Sequence, residues 1–520
     1  MGSERRGASL SAGARSVLGV NGIVVATLAI GFLNSVVIAA LFGLTSRVDA
    51  YYAALLLPSL FLALGVDYLG KNFLPTLVKA RRAGGDTAAE LTSAIVTIVA
   101  LGAAAAALAL ALAAKPLFRA ILPGFGADEI ELVSRFFRIM APALVFSAVT
   151  PFHEYVMQQD ERYAHVMLIR ALLPVASLAA IVGLGPALGE YALPIGYTTG
   201  QALAFALMWR AARYRYRPRL AVRAEWERKV LTSSAIVAGS GLTVRLRLLV
   251  ANYLASLLGD GAIAALNFTR RLIEPLERTT FTGVKMLLFN KAAQLAARDD
   301  VGGVGALYRL AFAASFMLLA PVLWWLALES GAIVGALFER GAFGPEMTAV
   351  VAATLVGFAP SVAFLGVNGL MSHAFYALDR VAAPAVAMPI GTAVYLALAP
   401  FVYRPFGVPG LAFAASAAAL AACAFLAWRL SRRTSEFPVS TALGKLLWYA
   451  AVAGGAFALA RAALAGIDSP TLRAAAVLAA GMPLYFGVLA LGRDRTLAEL
   501  LVRVRGGRAP AAAALTRPAR

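Results

Sequence analysis

Runs of 20 or so apolar residues recur along this chain, and they constrain its fold more than any other feature. A helix needs about 20 such residues to cross a hydrocarbon core of ~30 Å. The runs fall roughly at 17–43, 50–77, 89–114, 131–158, 163–185, 190–212, 229–257, 261–292, 305–329, 346–376, 383–402, 408–430, 442–465 and 471–491, which predicts about fourteen membrane spans. In lipid each span must satisfy its own backbone hydrogen bonds, so the expected fold class is an all-α integral membrane protein. The composition agrees: 61% of the 520 residues are hydrophobic and 14% are charged.

The net charge of +20 does not indicate a nucleic-acid partner, because the cations sit in short links between apolar runs rather than on one face of a soluble module. The links KARRAGGD, WRAARYRYRPRLAVRAEWERK and WRLSRRTSEF and the tail after Arg493 are basic, whereas GPALGE, GDG and AGIDS are cation-poor. Cytoplasmic loops collect Lys and Arg, so both termini are expected in the cytoplasm. The basic start MGSERRGASLSAGARS leads into a run too long for a signal-peptide core and is expected to be retained. The Ala/Pro/Arg-rich end, 496–520, is expected to be a disordered basic tail.

An internal repeat organises the spans. APALVFSAV from Ala141 returns as APSVAFLGV from Ala359, aligning Pro142 with Pro360, Phe146 with Phe364 and Val149 with Val367 at an offset of about 218 residues. Upstream, LFRAILPGF from Leu117 echoes LFERGAFG from Leu337. Two matches in register predict two pseudo-symmetric six-helix lobes, 1–215 and 216–435, with two further helices in 436–495. An even number of helices per copy gives both lobes the same orientation, the build of transporters that work by alternating access.

Ionisable residues at bilayer depth cost a few kcal/mol on insertion scales and normally face a cavity or a partner. Spans 7 and 8 carry an unusual number. Asn267, Arg271, Glu274, Arg278, Thr282 and Lys285 follow helical spacing and form one polar stripe. Arg245 and Asn252, seven apart, share a face of span 7, and Arg247 lies about 200° around the helix from Arg245. Arg270 adds a further cation, and Pro275 can kink span 8. Glu274 and Glu277 neutralise part of this charge and leave cations in excess. Guanidinium groups match the oxygens of a phosphate or diphosphate in bidentate fashion, so Arg245, Arg271, Arg278, Arg270, Arg247 and Lys285 are candidate diphosphate ligands. Asp49, in SRVDAYY, is read either as a cap of the helix it opens or as a gating residue beside Asn252, Asn267 and Glu274. No nucleotide-binding loop, catalytic constellation or metal-ligand spacing is present in the sequence, and Cys423 is the one cysteine. The expectation is a transporter without catalytic residues, metal or cofactor, driven by the membrane potential or an ion gradient.

ALFGLTSRVDAYYAALLLPSL, LLVANYLASLLGDGAIAALNFTRRLIEPLE, ALFERGAF and HAFYALDRVAAP together resemble the MurJ/MviN family of lipid-linked precursor flippases, within the superfamily that also holds polysaccharide flippases and multidrug extruders. The resemblance implies translocation of an undecaprenyl-diphosphate-linked glycan, typically lipid II for peptidoglycan, by two lobes around a cationic cavity, with helices 13 and 14 as a groove for the lipid tail. It places Arg271 on the family's helix-8 arginine and Asp49 on the aspartate of its helix 1–2 turn. The expected partners are that glycan lipid and membrane lipids, with no nucleic acid and the chain acting as a monomer. The sequence departs from the family at Leu28 and Asn34, where helix-1 arginines are usual, near Leu62, and at Ala251, where some members have a sodium-linked aspartate. A flippase for another lipid-linked oligosaccharide, of exopolysaccharide or O-antigen type, is the alternative. A multidrug extruder is a more distant one, since it calls for an acidic cavity.

Overall fold

A computed structural model of the protein describes residues 2–62, 67–84, 86–220, 245–280 and 282–504, and for residues 2–21, 67, 68, 70–72, 277–280, 282–287 and 501–504 it describes the backbone alone. The described residues are helical and contain no strand. In order they form α1 (Gly2–Phe42), α2 (Ser46–Ala54), α3 (Leu56–Phe61), α4 (Asp67–Arg82), α5 (Thr87–Leu112), α6 (Ala114–Ile121), α7 (Ala127–Gln159), α8 (Tyr163–Leu188) and α9 (Ala192–Ala212). Residues 245–256 form α10. Then come α11 (Ala262–Thr280), α12 (Thr282–Ala296), α13 (Val301–Leu328), α14 (Ser330–Phe338), α15 (Pro345–Ala377), α16 (Ala382–Ser431), α17 (Val439–Ala463), α18 (Pro470–Leu491) and α19 (Arg495–Val504).

Among the described residues, nine helical stretches are long and apolar enough to cross a membrane, and two of them, Tyr163–Ala212 and Ala382–Ser431, run to 50 residues each. A 50-residue helix is about 75 Å long, more than twice the hydrocarbon core, and both stretches break near their middle at a glycine with positive φ, Gly189 and Gly407. Each is therefore two crossings. Three expected spans are not among the nine. The run at 50–77 is divided into α2, α3 and α4: Pro58 has no N–H to bond the carbonyl four residues back, and the chain turns at Leu55. Only the end of the run at 229–257 is described, as α10. The run at 261–292 carries too many charges in α11, which continues through Pro275 to Thr280.

The repeat is visible in the helices. α7 and α15 each have 33 residues with an internal proline at the matched position, Pro142 and Pro360. Each follows a short helix, α6 or α14, whose matched Phe118 or Phe338 is fully buried. That shared anchor is why the two links resemble each other in sequence.

Packing groups the residues into two compact units, Met1–Arg271 with Arg340–Met347, and Leu272–Glu339 with Thr348–Arg520. The first has a core around Phe73, Ile95, Phe152 and Met208. The second has one around Tyr308, Leu426, Tyr449 and Tyr485. Lipid tails are as apolar as leucine, so close packing and interhelical hydrogen bonds hold such helices together. In the second unit the Ser416 hydroxyl donates to the Gly357 carbonyl at 2.6 Å and accepts the Ser361 N–H at 3.1 Å, joining α15 to α16. Tyr485 donates to the Met317 carbonyl at 2.9 Å and Trp325 to that of Ala474 at 2.9 Å. Large apolar side chains point outward, Phe401 at 78% and Leu491 at 87% exposure, as expected where the solvent is lipid.

Candidate functional site

The site is built on the first turn of α11. The chain comes off α10 through Gly259 and Gly261, both at positive φ, and turns into the helix with its first N–H groups unsatisfied. Asp49, on α2, supplies the acceptors: Oδ2 accepts the Gly261 N–H at 2.8 Å and Oδ1 accepts the Ala264 N–H at 2.6 Å. The carboxyl group is 1% exposed, and these donors and the positive end of the helix dipole offset part of the cost of burying it. Asp49 therefore caps α11, more than 200 residues away in sequence, and not the helix it lies on. The N-cap of α2 is Thr45, which makes no side-chain capping bond.

The turns at this end of the first unit pack backbone against backbone. Gly341 has φ +60, and a Cβ there would lie 2.2 Å from the Ala40 carbonyl oxygen. The Ala342 N–H donates to that same oxygen at 2.8 Å. At Gly261 an added Cβ would lie 2.7 Å from the Leu44 Cβ. The Leu44 N–H reaches the Met347 Sδ at 3.2 Å. The turns after α1, before α11 and after α14 thus close on one another, and only glycine fits at the two contact points.

Along α11 the polar stripe continues from the capped turn. Asn267 is half-buried and donates to the Ile263 carbonyl one turn back at 2.8 Å. Arg270 and Arg271 are exposed, and Glu274 is half-buried. The Arg271 charge acts electrostatically on the Tyr51 and Tyr52 hydroxyls, and Tyr52 packs edge-on against Phe268 with ring centroids 5.8 Å apart. On α10, Arg245 and Arg247 are half-buried, while Asn252 is buried and donates to the Leu248 carbonyl at 2.8 Å. Both asparagine amide groups are thus engaged within their own helices. Arg278 and Lys285 lie outside the residues whose side chains are described.

The structure thus brings Asp49 to the helix that carries Asn267, Arg270, Arg271 and Glu274, with Tyr51 and Tyr52 beside Arg271. The sequence reading passed over the two tyrosines, although YY directly after Asp49 puts both on the helix that holds the capping carboxylate. Three buried carboxylates form ion pairs away from this site. Arg170 grips the buried Glu154 with two hydrogen bonds. Glu329, almost wholly buried, lies 3.3 Å from the Arg461 Nε and 3.9 Å from the Arg473 Nε. Lys445 meets Asp494 at 2.6 Å. Among the described residues no three His, Cys, Asp or Glu side chains converge as a metal site requires.

Comparison with known proteins supplies the wider context. The sequence model of the family described as lipid II flippase MurJ matches residues 38–472. The chain is 25% identical over 406 residues to the lipid II flippase MurJ of Burkholderia cenocepacia, covering 75% of this chain and 78% of that protein. It is 26% identical over 502 residues to a probable lipid II flippase MurJ of Rhizobium meliloti, covering 90% and 92%. Among solved structures, lipid II flippase MurJ in an inward closed conformation matches with a TM-score of 0.78 at 16% identity over 91% of this chain and 99% of that one. An inward-facing multidrug transporter of the MATE family matches with 0.66 at 14% identity over 78% and 95%. At such identities the two structures speak to the fold alone.

Proposed function

Because this chain belongs to the MurJ lipid II flippase family, we propose that it moves lipid II, an undecaprenyl-diphosphate-linked glycan, from the cytoplasmic to the outer leaflet of the bacterial inner membrane by alternating access. It is a transporter and a multi-pass membrane protein whose substrate class is a lipid-linked glycan. It works as a monomer with both termini in the cytoplasm, and its energy comes from the membrane potential or an ion gradient.

The observation that carries the reading is a helix, α11, too cationic to face lipid, whose N-terminus is held by a buried carboxylate from α2. With the amino terminus in the cytoplasm, the capped end and its interlocked turns lie on the outer side. Arg271 then lies about 15 Å along the helix from Gly261, near the middle of a ~30 Å core. An arginine at that depth is costly unless it meets a partner, and a diphosphate passing the midplane is a matching one. Arg271, Arg270, Arg245, Arg247, Arg278 and Lys285 serve as its ligands, and Asp49 holds the outer side shut while the substrate loads from the cytoplasm.

Reconstituting the protein in vesicles that contain lipid II labelled on the sugar tests this. Label should appear on the far leaflet at a rate that scales with protein content. Transfer no faster than in protein-free vesicles, with a membrane potential imposed, would reject the proposal. A lipid-linked oligosaccharide of another glycan, tried in the same vesicles, tests the alternative substrate.

A further inference from the structure

At the end of the first unit opposite the interlocked turns, residues 213–220, RYRYRPRL, run as an extended strap directly after α9. Arg213, in the left-handed region with φ 50, ends the helix and turns the chain. An extended strand points successive side chains to opposite sides, and here tyrosine alternates with arginine. Tyr214 and Tyr216 turn inward. The Tyr216 hydroxyl lies 2.8 Å from the Thr97 Oγ1. Since Thr97 already donates to the Ser93 carbonyl at 2.7 Å, the tyrosine is the donor. The Tyr214 hydroxyl is 3.2 Å from Nε2 of His153, whose other ring nitrogen faces the Val149 carbonyl at 3.1 Å. The backbone N–H of Arg217 donates to Ser93 at 3.2 Å, and Arg219 pairs with Glu90 at 2.9 Å. Contacts at Glu90, Ser93 and Thr97 lay the strap along two turns near the start of α5, about 10 Å of helix.

Arg213, Arg215 and Arg217 are left exposed on the other side. Among the described residues no carboxylate pairs with any of the three. They stand where two spans, α5 and α9, begin and end, beside the half-exposed Trp209, a residue type favoured at the membrane–water interface. A link that only had to join two spans would not need its alternate side chains bound down.

We infer that residues 213–217 are a binding surface for anionic lipid headgroups, with Tyr214 and Tyr216 pegging the strap so that Arg213, Arg215 and Arg217 meet the phosphates of one leaflet as a row. The full-length protein, reconstituted in phosphatidylcholine bilayers with spin-labelled phosphatidylglycerol or phosphatidylcholine, gives the relative association of the two lipids. Changing Arg213, Arg215 and Arg217 to Gln should lower the preference for phosphatidylglycerol on the order of tenfold at low salt. The same charge removed at Arg429, Arg432 and Arg433 should lower it much less. The Tyr214→Phe/Tyr216→Phe double variant keeps every charge and should still lose a good part of the preference. Inorganic phosphate at millimolar concentration should not compete. Equal losses from the two arginine triples would overturn the inference, as would an unchanged preference in the tyrosine variant or displacement by phosphate.

Discussion

Asp49 shows how much one side chain can decide. Its carboxylate satisfies two N–H groups at the start of α11. Replacing a capping Asp by Ala typically costs about 1 kcal/mol, and leaving buried donors unsatisfied costs about 1–3 kcal/mol for each. Asp49→Ala should therefore lower the melting temperature in detergent and reduce lipid II translocation at least tenfold. Asp49→Asn, which keeps one acceptor oxygen, should fall between; an Asn variant as impaired as Ala would show that the negative charge matters and not the acceptor. This role was not legible in the sequence. DAYY opening a helix reads as a local cap, and only the fold brings residue 49 to residues 261–264. Arg271 was legible because a charge at bilayer depth is conspicuous in sequence. Its neighbours Tyr51 and Tyr52 were not, because tyrosine is unremarkable at the end of an apolar run.

At the scale of elements, apolar length found the helices, and it failed where a span is broken by proline, as at 50–77, or crowded with charge, as in α11. The interlocked turns depend on Gly341, where any side chain would meet the Ala40 carbonyl. Gly341→Val should hold the turns apart, and a cysteine pair at Leu44 and Met347 should crosslink several-fold less in that variant than with Gly341 in place. The C-terminal helix α19 is tied down by Asp494, which accepts from Lys445 at 2.6 Å, Tyr449 at 3.1 Å and the N–H groups of Thr496 and Leu497. Burial alone would raise this carboxyl's pKa, but the Lys445 ammonium, the Leu497 N–H and the Tyr449 hydroxyl outweigh burial and hold it below the ordinary value of 3.8. Its stabilising contribution is thus complete above the unfolded pKa and is lost as pH falls through the lower folded one. Docking of α19, followed by proteolysis after Arg495, should be constant from pH 5 to 8 and weaken only in stronger acid. Lys445→Met should move that loss to higher pH.

For the whole molecule, the repeat was legible because the two links bury the same aromatic anchor and lead into helices of equal length. Leu28 and Asn34, in helix 1, are neutral. Asn34 donates to Ser177 at 3.2 Å within the first unit, a neutral contact between α1 and α8. The cations proposed to hold the diphosphate therefore come from α10, α11 and α12. The central claim is that these guanidinium groups carry the substrate across. It is tested most directly by translocation of labelled lipid II in vesicles holding the Arg245→Gln/Arg271→Gln/Arg278→Gln variant, with folding verified by an unchanged melting temperature. The account predicts transfer at least a hundredfold slower than the parent protein's, partly restored when Lys replaces Gln. Transfer at the parent rate by a folded variant would contradict it.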